Sequence, residues 1–294
     1  MELIIVTGLS GSGKSISLRV LEDSGYYCID NLPATLLPQI SHHLDATNQH
    51  KVAISIDSRS AALEALPNAI EMLKSSGILV KVLFLESSVE TLVKRFSETR
   101  RKHPLSNADT TLAESISHER ELLAGITDLG HHIDTSNLSA NTLRNYIVDF
   151  ISQADNSQAS SGLVLLFTSF GFKNGLPLDA DFVFDVRSLP NPHYDPILRP
   201  LTGKDSAVKA YLETQPQVIE MLADIQHYVE KWLPSFNQDN RSYVTVAIGC
   251  TGGQHRSVYF VEQLYKYFSG AHFKQQKQKV IIRHRELDWI LLRK

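Results

Sequence analysis

The residues that most clearly predict chemistry lie at positions 8–15, which read GLSGSGKS and complete the phosphate-binding pattern G-x-x-x-x-G-K-[ST]. Glycines let backbone N–H groups curl around phosphates at the positive end of a following helix. In that arrangement Lys14 reaches the β- and γ-phosphates and the Ser15 hydroxyl holds Mg²⁺. The residues predicted to bind ATP or GTP here are Gly8, Leu9, Ser10, Gly11, Ser12, Gly13, Lys14 and Ser15.

Other charged side chains in the first half are candidates for the same site. Asp57 ends the apolar run VAISI, where a P-loop protein keeps the carboxylate that orients its metal. Asp30 ends the run YYCI and faces an acceptor or a metal, although both carboxylates equally suit a turn cap. A basic helix end either clamps transferring phosphates or forms a solvated face. Its residues are Arg95, Arg100, Arg101 and Lys102.

A second glycine-rich segment, GCTGGQHRS at 249–257, also follows an apolar strand and precedes a helical pattern. This is again an anion-binding arrangement. Its convergent donors are Thr251, Gly252, His255 and Arg256. The rigid loop LPNPH at 189–193, close to Arg187, adds His193.

The same segment has the spacing of a cysteine phosphatase loop, from Cys250 to Arg256 and Ser257. In such a loop a thiolate attacks the phosphate that the amides and the arginine bind, and Asp185 or Asp195 is available as the general acid. However, Gly249 stands where those enzymes usually carry His, and Cys250 equally suits a buried strand end. We therefore favour binding over covalent chemistry.

The elements that must position these residues predict an α/β fold. In the first half, short apolar runs alternate with helical patterns, which predicts a parallel sheet with helices on both faces. Together with the glycine-rich loop at 8–15, this indicates a kinase-like P-loop NTPase domain. The predicted strands are 3–6, 26–29, 52–56, 78–85 and 131–134, and the predicted helices are 14–24, 33–47, 60–75, 88–101, 110–125 and 139–151. For a second α/β domain the strands are 163–169, 181–186 and 243–248, with helices 216–233 and 255–268.

Length and composition fit two such domains. The chain has 294 residues, and a stretch without large apolar residues, 153–162, predicts a linker between a nucleotide-binding domain at 1–152 and a second domain at 163–294. Two cysteines exclude a disulfide scaffold and favour a reduced, cytoplasmic compartment. The apolar runs are too short for a membrane span, and the first residues lack signal-peptide features.

Charge is unevenly distributed along the chain. The formal net charge is −3, but residues 1–161 carry −6 and residues 162–294 carry +3. Seven basic residues lie in the last 21, so this tail either contacts nucleic-acid phosphates or is a solvated charged segment. The candidate RNA-binding residues are Lys274, Lys277, Lys279, Arg283 and Arg285.

Taken together, these segments resemble the RapZ/YvcJ family of P-loop nucleotide-binding proteins nearly end to end. Further matching segments are GYYCIDNLP, SIDSR, TRRKHPLS, SFGFKNGLP, DADFVFDVR, LRPLTG and RHR. The resemblance implies weak ATP or GTP hydrolysis. It also implies a guanine-nucleotide segment at Asp57, Ser58, Arg59 and Ser60, although Ser60 stands where the family usually has Asn.

The resemblance further implies a regulatory role as an RNase adapter. The second domain would bind a small regulatory RNA, present it to RNase E and sense glucosamine-6-phosphate. The phosphosugar pocket would consist of His193, Thr251, Gly252, His255 and Arg256. The apolar ending ELDWILLRK departs from the basic ending of the family, and together with the resemblance it favours self-association.

Two enzyme classes remain as alternatives. One is a small-molecule kinase, which the P-loop and the basic segment 95–102 favour. The other is a phosphatase that uses Cys250 as its nucleophile.

Overall fold

The computed structural model describes residues 1–40, 49–60, 62–107, 109–155, 163–238, 243–270 and 279–287. The chain divides into two compact units, Met1–Gln158 and Ala159–Lys294, and each contains a parallel β-sheet with helices. The predicted α/β fold class is therefore confirmed. Of the predicted linker, residues 153–155 belong to the end of a helix and residues 156–162 lie outside the described residues.

Five parallel strands form the sheet of the first unit, in the order β2-β3-β1-β4-β5. They are β1 Glu2–Gly8, β2 Tyr27–Ile29, β3 Lys51–Ser55, β4 Leu79–Glu86 and β5 His131–Asp134. The central strand β1 is buried on both faces from Leu3 onward, which explains its continuous apolar sequence. Its carboxyl end therefore delivers the glycine-rich loop to the middle of the sheet edge.

Five helices of this unit were each foreseen in the sequence, with shifts at their ends. They are α1 Lys14–Asp23, α2 Leu66–Ser75, α3 Val89–Thr99, α4 Leu112–Leu123 and α5 Ala140–Asp155. Helix α2 begins six residues later than predicted, because Ala62 adopts a left-handed conformation and Pro67 favours the first helical turn. The helix predicted at 33–47 is a 3-10 turn, Ala34–Leu36, followed by helical residues 37–40; residues 41–47 lie outside the described ranges.

The second unit has a four-stranded parallel sheet in the order β7-β8-β6-β9. Its strands are β6 Val164–Gly171, β7 Phe182–Asp185, β8 Tyr243–Cys250 and β9 Lys279–His284. Its helices are α6 Ser206–Glu213, α7 Pro216–Gln238 and α8 Arg256–Phe268. Phe167 and Phe170 of β6 are fully buried in this unit, and the second glycine-rich loop connects β8 to α8.

Sequence patterns missed helix α6 and strand β9. Strand β9 pairs with β6, with Ile282 opposite Phe167, so part of the segment interpreted as a basic tail is an edge strand of the sheet. Its Val280–Ile282 run is β-branched, which favours a strand. Within the described ranges, no helix has the length and apolar character needed to cross a membrane.

Candidate functional site

The loop between β1 and α1 has the backbone that a phosphate cradle requires. Gly8, Gly11 and Gly13 have φ values of +127°, +82° and +114°, a region that other residues rarely adopt. The Ser12 N–H donates to the Leu9 carbonyl at 3.1 Å, which tightens the turn. Strand β4 passes so close that a Cβ on Gly8 would lie 2.0 Å from the Leu85 carbonyl oxygen. Only glycine fits this contact without displacing the strand.

Lys14 is folded onto the loop that precedes it. Its Nζ donates to the carbonyl oxygens of Gly8 at 2.6 Å and Leu9 at 3.1 Å. Burial lowers the pKa of Lys14, and the negative charges of Glu119 and Asp57 partly offset that effect. Ser15, at the start of α1, is exposed, so its hydroxyl is accessible to a ligand. Both side chains therefore lie where a phosphate held by the loop would be.

The segment 57–60 at the end of β3 is held by internal hydrogen bonds. Asp57 accepts from Arg59 through its backbone N–H at 2.9 Å, Nε at 2.9 Å and Nη2 at 2.6 Å. Ser58 donates to Glu119 at 2.6 Å, and Ser60 accepts from the Ala34 N–H at 2.6 Å. The Arg59 side chain is half exposed, so its ion pair with Asp57 is open to exchange with a ligand.

Glu119 of α4, which sequence reasoning missed, connects this segment to the loop. Its carboxylate is fully buried and accepts from the Ser10 N–H at 2.8 Å and the Ser10 hydroxyl at 2.7 Å. His103 Nε2 contacts the same carboxylate at 3.0 Å. Burial alone would raise the pKa of Glu119, but the hydrogen bonds from His103, Ser58 and Ser10 outweigh it and lower that pKa to about 2. Nothing in the local sequence pattern distinguishes this glutamate from the other charged residues of its helix.

Among the four basic residues predicted at this helix end, only Arg95 is partly buried, and Arg100, Arg101 and Lys102 are exposed. Arg95 Nη1 donates to the Gly11 carbonyl at 3.0 Å, and Nη2 donates to the Thr135 carbonyl at 2.6 Å. Arg100 ends α3 in a left-handed conformation, and Arg101 and Lys102 follow it as exposed side chains. Asp30, after β2, is also exposed.

A small cavity of about 170 Å³ lies beside the glycine-rich loop. It is lined by residues 11–13 of the loop, Ile16, Thr135, residues 138–140 and Leu143. Arg95 also lines it and donates to the carbonyls of Gly11 and Thr135. The cavity thus combines apolar side chains with a guanidinium group, next to the place predicted for phosphates.

The donor set suits Mg²⁺ only when phosphate oxygens complete it. Within the ranges that the structure describes, no three His, Cys, Asp or Glu residues are arranged to hold a metal ion. The Ser15 hydroxyl and the Asp57 carboxylate are hard oxygen donors of the kind that Mg²⁺ takes alongside nucleotide phosphates.

In the second unit, the side chain of Arg256, where the loop between β8 and α8 ends and α8 begins, is buried. It is 3% exposed, and its Nη1 donates to the carbonyls of Arg187 at 2.8 Å and Leu189 at 2.7 Å. Its Nη2 lies 3.5 Å from the Thr251 hydroxyl. The guanidinium therefore links the loop to the segment 187–189 and places its charge beneath the exposed Thr251.

The two predicted histidines are brought together at the mouth of this loop. His255 is the N-cap residue before α8, and its Nε2 lies 3.1 Å from the Leu198 carbonyl, while its ring centroid is 6.2 Å from that of His193. Burial lowers the pKa of His255, so the ring is neutral at pH 7. His193 is exposed. Lys173, which sequence reasoning did not identify, also lies near this loop: its Nζ is 3.9 Å from where a Cβ on Gly252 would lie.

Cys250 lies beneath the loop at the end of β8 and is 3% exposed. Its Sγ accepts from the Gly253 N–H at 3.2 Å and lies 3.2 Å from the Ser257 hydroxyl. Asp185, one candidate general acid, forms a two-point ion pair with Arg187. The hydrogen bond from that guanidinium lowers the pKa of Asp185, which opposes the protonation that a general acid needs.

The predicted RNA-binding residues are distributed over strand β9 and its flanks. Lys279 is exposed, whereas Arg283 is partly buried. Arg285 Nη2 donates to the Asn174 and Gly175 carbonyls, each at 2.7 Å. Its side chain is 11% exposed, so it is committed to internal contacts. Lys274 and Lys277 lie outside the described residues.

Comparisons with known proteins cover both units. Residues 1–155 match the family described as the RapZ-like N-terminal domain, and residues 163–288 match the RapZ C-terminal domain. A nucleotide-binding protein of Methylobacillus flagellatus is 64% identical over 288 residues, 98% of this chain and 99% of that protein. One from Chromobacterium violaceum is 54% identical over 288 residues, with the same coverage of 98% and 99%. Shikimate kinase from Acinetobacter baumannii, a solved structure, is 20% identical with a TM-score of 0.37 and covers 53% of this chain and 95% of that one.

Proposed function

The chain belongs to the family of RapZ-like proteins, and from that premise we propose that it is a regulatory nucleotide-binding protein whose second unit binds RNA and an amino-sugar phosphate. The observation that carries this proposal is a pair of glycine-rich loops, one in each unit. Each follows a strand and opens a helix, at 8–15 and at 249–257. Such loops bind anions through backbone amides and the helix dipole.

In the first unit the ligand is a nucleoside triphosphate, ATP or GTP. Lys14 exchanges its carbonyl partners for the phosphates, and the cavity beside Arg95 accepts the nucleoside, because it lies next to residues 11–13. Mg²⁺, where it accompanies the nucleotide, would be held by the Ser15 hydroxyl and the phosphates, with the Asp57 carboxylate as a further candidate oxygen donor. Hydrolysis is weak, and the segment 57–60 corresponds to the guanine-nucleotide segment of the family, with Ser60 in place of the usual Asn, so the proposal covers ATP and GTP alike.

Replacing Lys14 tests the nucleotide site. Lys14→Ala should abolish ATP and GTP binding in calorimetry and reduce any hydrolysis to background, because it removes the cation of the cradle. Lys94→Ala is the matched control, since Lys94 is an exposed lysine of α3. Unchanged nucleotide binding in Lys14→Ala would refute the assignment.

In the second unit the proposed ligand is glucosamine-6-phosphate. An amide-lined loop, the Arg256 guanidinium and the neighbouring Lys173 suit a phosphate group, and the neutral His255 and exposed His193 suit sugar hydroxyls. His193→Ala should weaken sugar-phosphate binding and leave ATP binding intact. Calorimetry that gives equal sugar-phosphate affinities for both proteins would contradict this pocket.

The RNA role is that of an adapter that presents a small regulatory RNA to RNase E in the cytoplasm, as a homo-oligomer. Lysines neutralise phosphates and make binding salt-dependent. The test replaces Lys274, Lys277 and Lys279 with Gln rather than deleting the tail, because deletion would also remove β9. The control replaces Lys231 and Lys266, lysines elsewhere in the unit. Retention of RNA at low salt by wild type and control, but not by the triple variant, supports the proposal; no retention by wild type refutes it.

The kinase and phosphatase alternatives are decided with the same proteins. A kinase should transfer phosphate to a small acceptor orders of magnitude faster than it hydrolyses ATP. A phosphatase should lose its activity in Cys250→Ser. A wild-type protein without either activity removes both enzyme classes.

A further inference from the structure

Glu119 accepts hydrogen bonds from three separate segments of the first unit. Its Oε1 accepts from the hydroxyls of Ser10 and Ser58, at 2.7 Å and 2.6 Å. Its Oε2 accepts from the Ser10 N–H at 2.8 Å and is contacted by His103 at 3.0 Å. The glycine-rich loop, the segment after β3 and the residue that directly follows the basic segment 95–102 therefore meet at one buried carboxylate.

The hydrogen bond at His103 Nδ1, the ring nitrogen that does not face Glu119, determines which nitrogen carries the hydrogen. The Leu105 N–H donates to His103 Nδ1 at 3.2 Å, so this nitrogen carries a lone pair. Nε2 therefore carries the hydrogen and donates to Glu119, and the ring is neutral. Glu119 receives four hydrogen bonds and no formal positive charge from these partners, although Lys14 lies close enough for its charge to interact with the carboxylate.

The loop needs such an anchor because it contains three glycines with positive φ. Glycine loses more backbone freedom on ordering than any other residue, so a glycine-rich loop holds one shape only when other groups fix it. Arg95 and Thr135 hold Gly11 and Ser12 through their carbonyls. Glu119 fixes Ser10 through both its amide and its hydroxyl.

We propose that Glu119 is a positioning residue, which holds the glycine-rich loop in the shape that binds phosphates and joins it to the basic segment through His103; this role rests on the proposed nucleotide function. Glu119 does not touch the ligand. It acts by directing the Ser10 amide inward, which leaves the amides of residues 11–15 to face the phosphates. It also supplies a negative charge close to Lys14, which partly offsets the lowering of the Lys14 pKa by burial.

The test measures the binding of tripolyphosphate and of ATP by calorimetry, so that the phosphate cradle is probed with and without a nucleoside. Glu119→Gln keeps the side-chain volume but replaces one acceptor oxygen with an NH2 group, so that at least two of the four hydrogen bonds must break or reverse. We expect the Kd for both ligands to rise about tenfold or more, the typical value of one charge-assisted hydrogen bond. Glu2→Gln, which removes the carboxylate paired with Lys81 at the opposite end of β1, should stay within about twofold of wild type.

Two further variants separate positioning from general destabilisation. His103→Ala should weaken binding, and His103→Gln should restore it, because its side-chain amide again donates to Glu119. Equal affinity of wild type, Glu119→Gln and His103→Ala, while Lys14→Ala binds nothing, overturns the role of Glu119 alone. Undiminished binding in Lys14→Ala overturns the nucleotide site and this role with it. Should Glu119→Gln fail to fold, the histidine pair decides: failure of His103→Gln to exceed His103→Ala overturns the proposal.

Discussion

The buried carboxylate of Glu119 predicts a specific pH dependence of stability. Its pKa is about 2 in the folded protein, against an ordinary value of 4.5, because the hydrogen bonds from His103, Ser58 and Ser10 outweigh the effect of burial. The folded state therefore binds this proton less tightly than the unfolded chain does. Each tenfold difference in proton affinity corresponds to about 1.4 kcal/mol, so ionised Glu119 stabilises the first unit by about 3 kcal/mol.

The sign follows from the lowered pKa. The stabilisation is fully present above about pH 4.5 and is lost as the pH falls towards 2. Glu119→Gln removes the titrating group, so this variant should be about 3 kcal/mol less stable than wild type at pH 7 and nearly equal to it at about pH 2.

Urea unfolding at several pH values measures this difference. Both tryptophans, Trp232 and Trp289, belong to the second unit, so tryptophan fluorescence reports that unit and circular dichroism reports both. The transition seen only by circular dichroism is assigned to the first unit. A difference between wild type and Glu119→Gln that is the same at pH 7 and at pH 2.5, or absent at both, would refute the reasoning.

Three other outcomes can be measured. Gly8→Ala should destabilise the first unit by more than about 2 kcal/mol in urea unfolding, because the added Cβ would strike the Leu85 carbonyl. Gly77→Ala, where φ is also positive but the space around the Cβ is open, should cost about 1 kcal/mol. Equal losses of stability in the two variants would contradict the steric argument. Burial and, to a smaller extent, Glu22 raise the pKa of the Cys28 thiol to about 11. Alkylation of Cys28, followed by mass spectrometry, should therefore run at about a hundredth of the rate of an ordinary thiol at pH 8, and its rate should rise with pH up to about pH 11. A rate that levels off below about pH 9 would exclude the raised pKa. Phe167→Ala should destabilise the second unit by about 3–5 kcal/mol in urea unfolding followed by tryptophan fluorescence. Val183→Ala, at an exposed position, should destabilise it by less than about 1 kcal/mol. A loss below about 1 kcal/mol for Phe167→Ala would mean that β6 is not the core strand of the second unit.

The predictions that succeeded rest on local patterns. The glycine spacing of 8–15 and the apolar run of β1 each specify their own conformation, because a buried parallel strand must be apolar and a tight turn must contain glycine. The same holds for α4, where Thr111 and Glu114 form a capping box. Such signals lie within a few residues of the element that they determine.

The parts that were missed depend on distant contacts. Glu119 contacts Ser10 across 109 positions, and no local pattern predicts that contact. Arg285 was grouped with the basic residues of the tail, but its guanidinium contacts carbonyls more than 100 positions away. The sequence shows directly which residues are polar or charged, whereas tertiary packing decides which of them face a ligand.

The position of β9 at the sheet edge has a consequence for how the second unit is made. Strand β6 begins at Val164, but its partner on one side is not synthesised until residues 279–284 leave the ribosome. For that interval β6 presents an unpaired row of backbone N–H and carbonyl groups, which can pair with another chain. A premature stop codon a few positions before residue 279 would make this exposure permanent, so loss of a short end segment should produce insoluble protein rather than a merely weaker ligand binder.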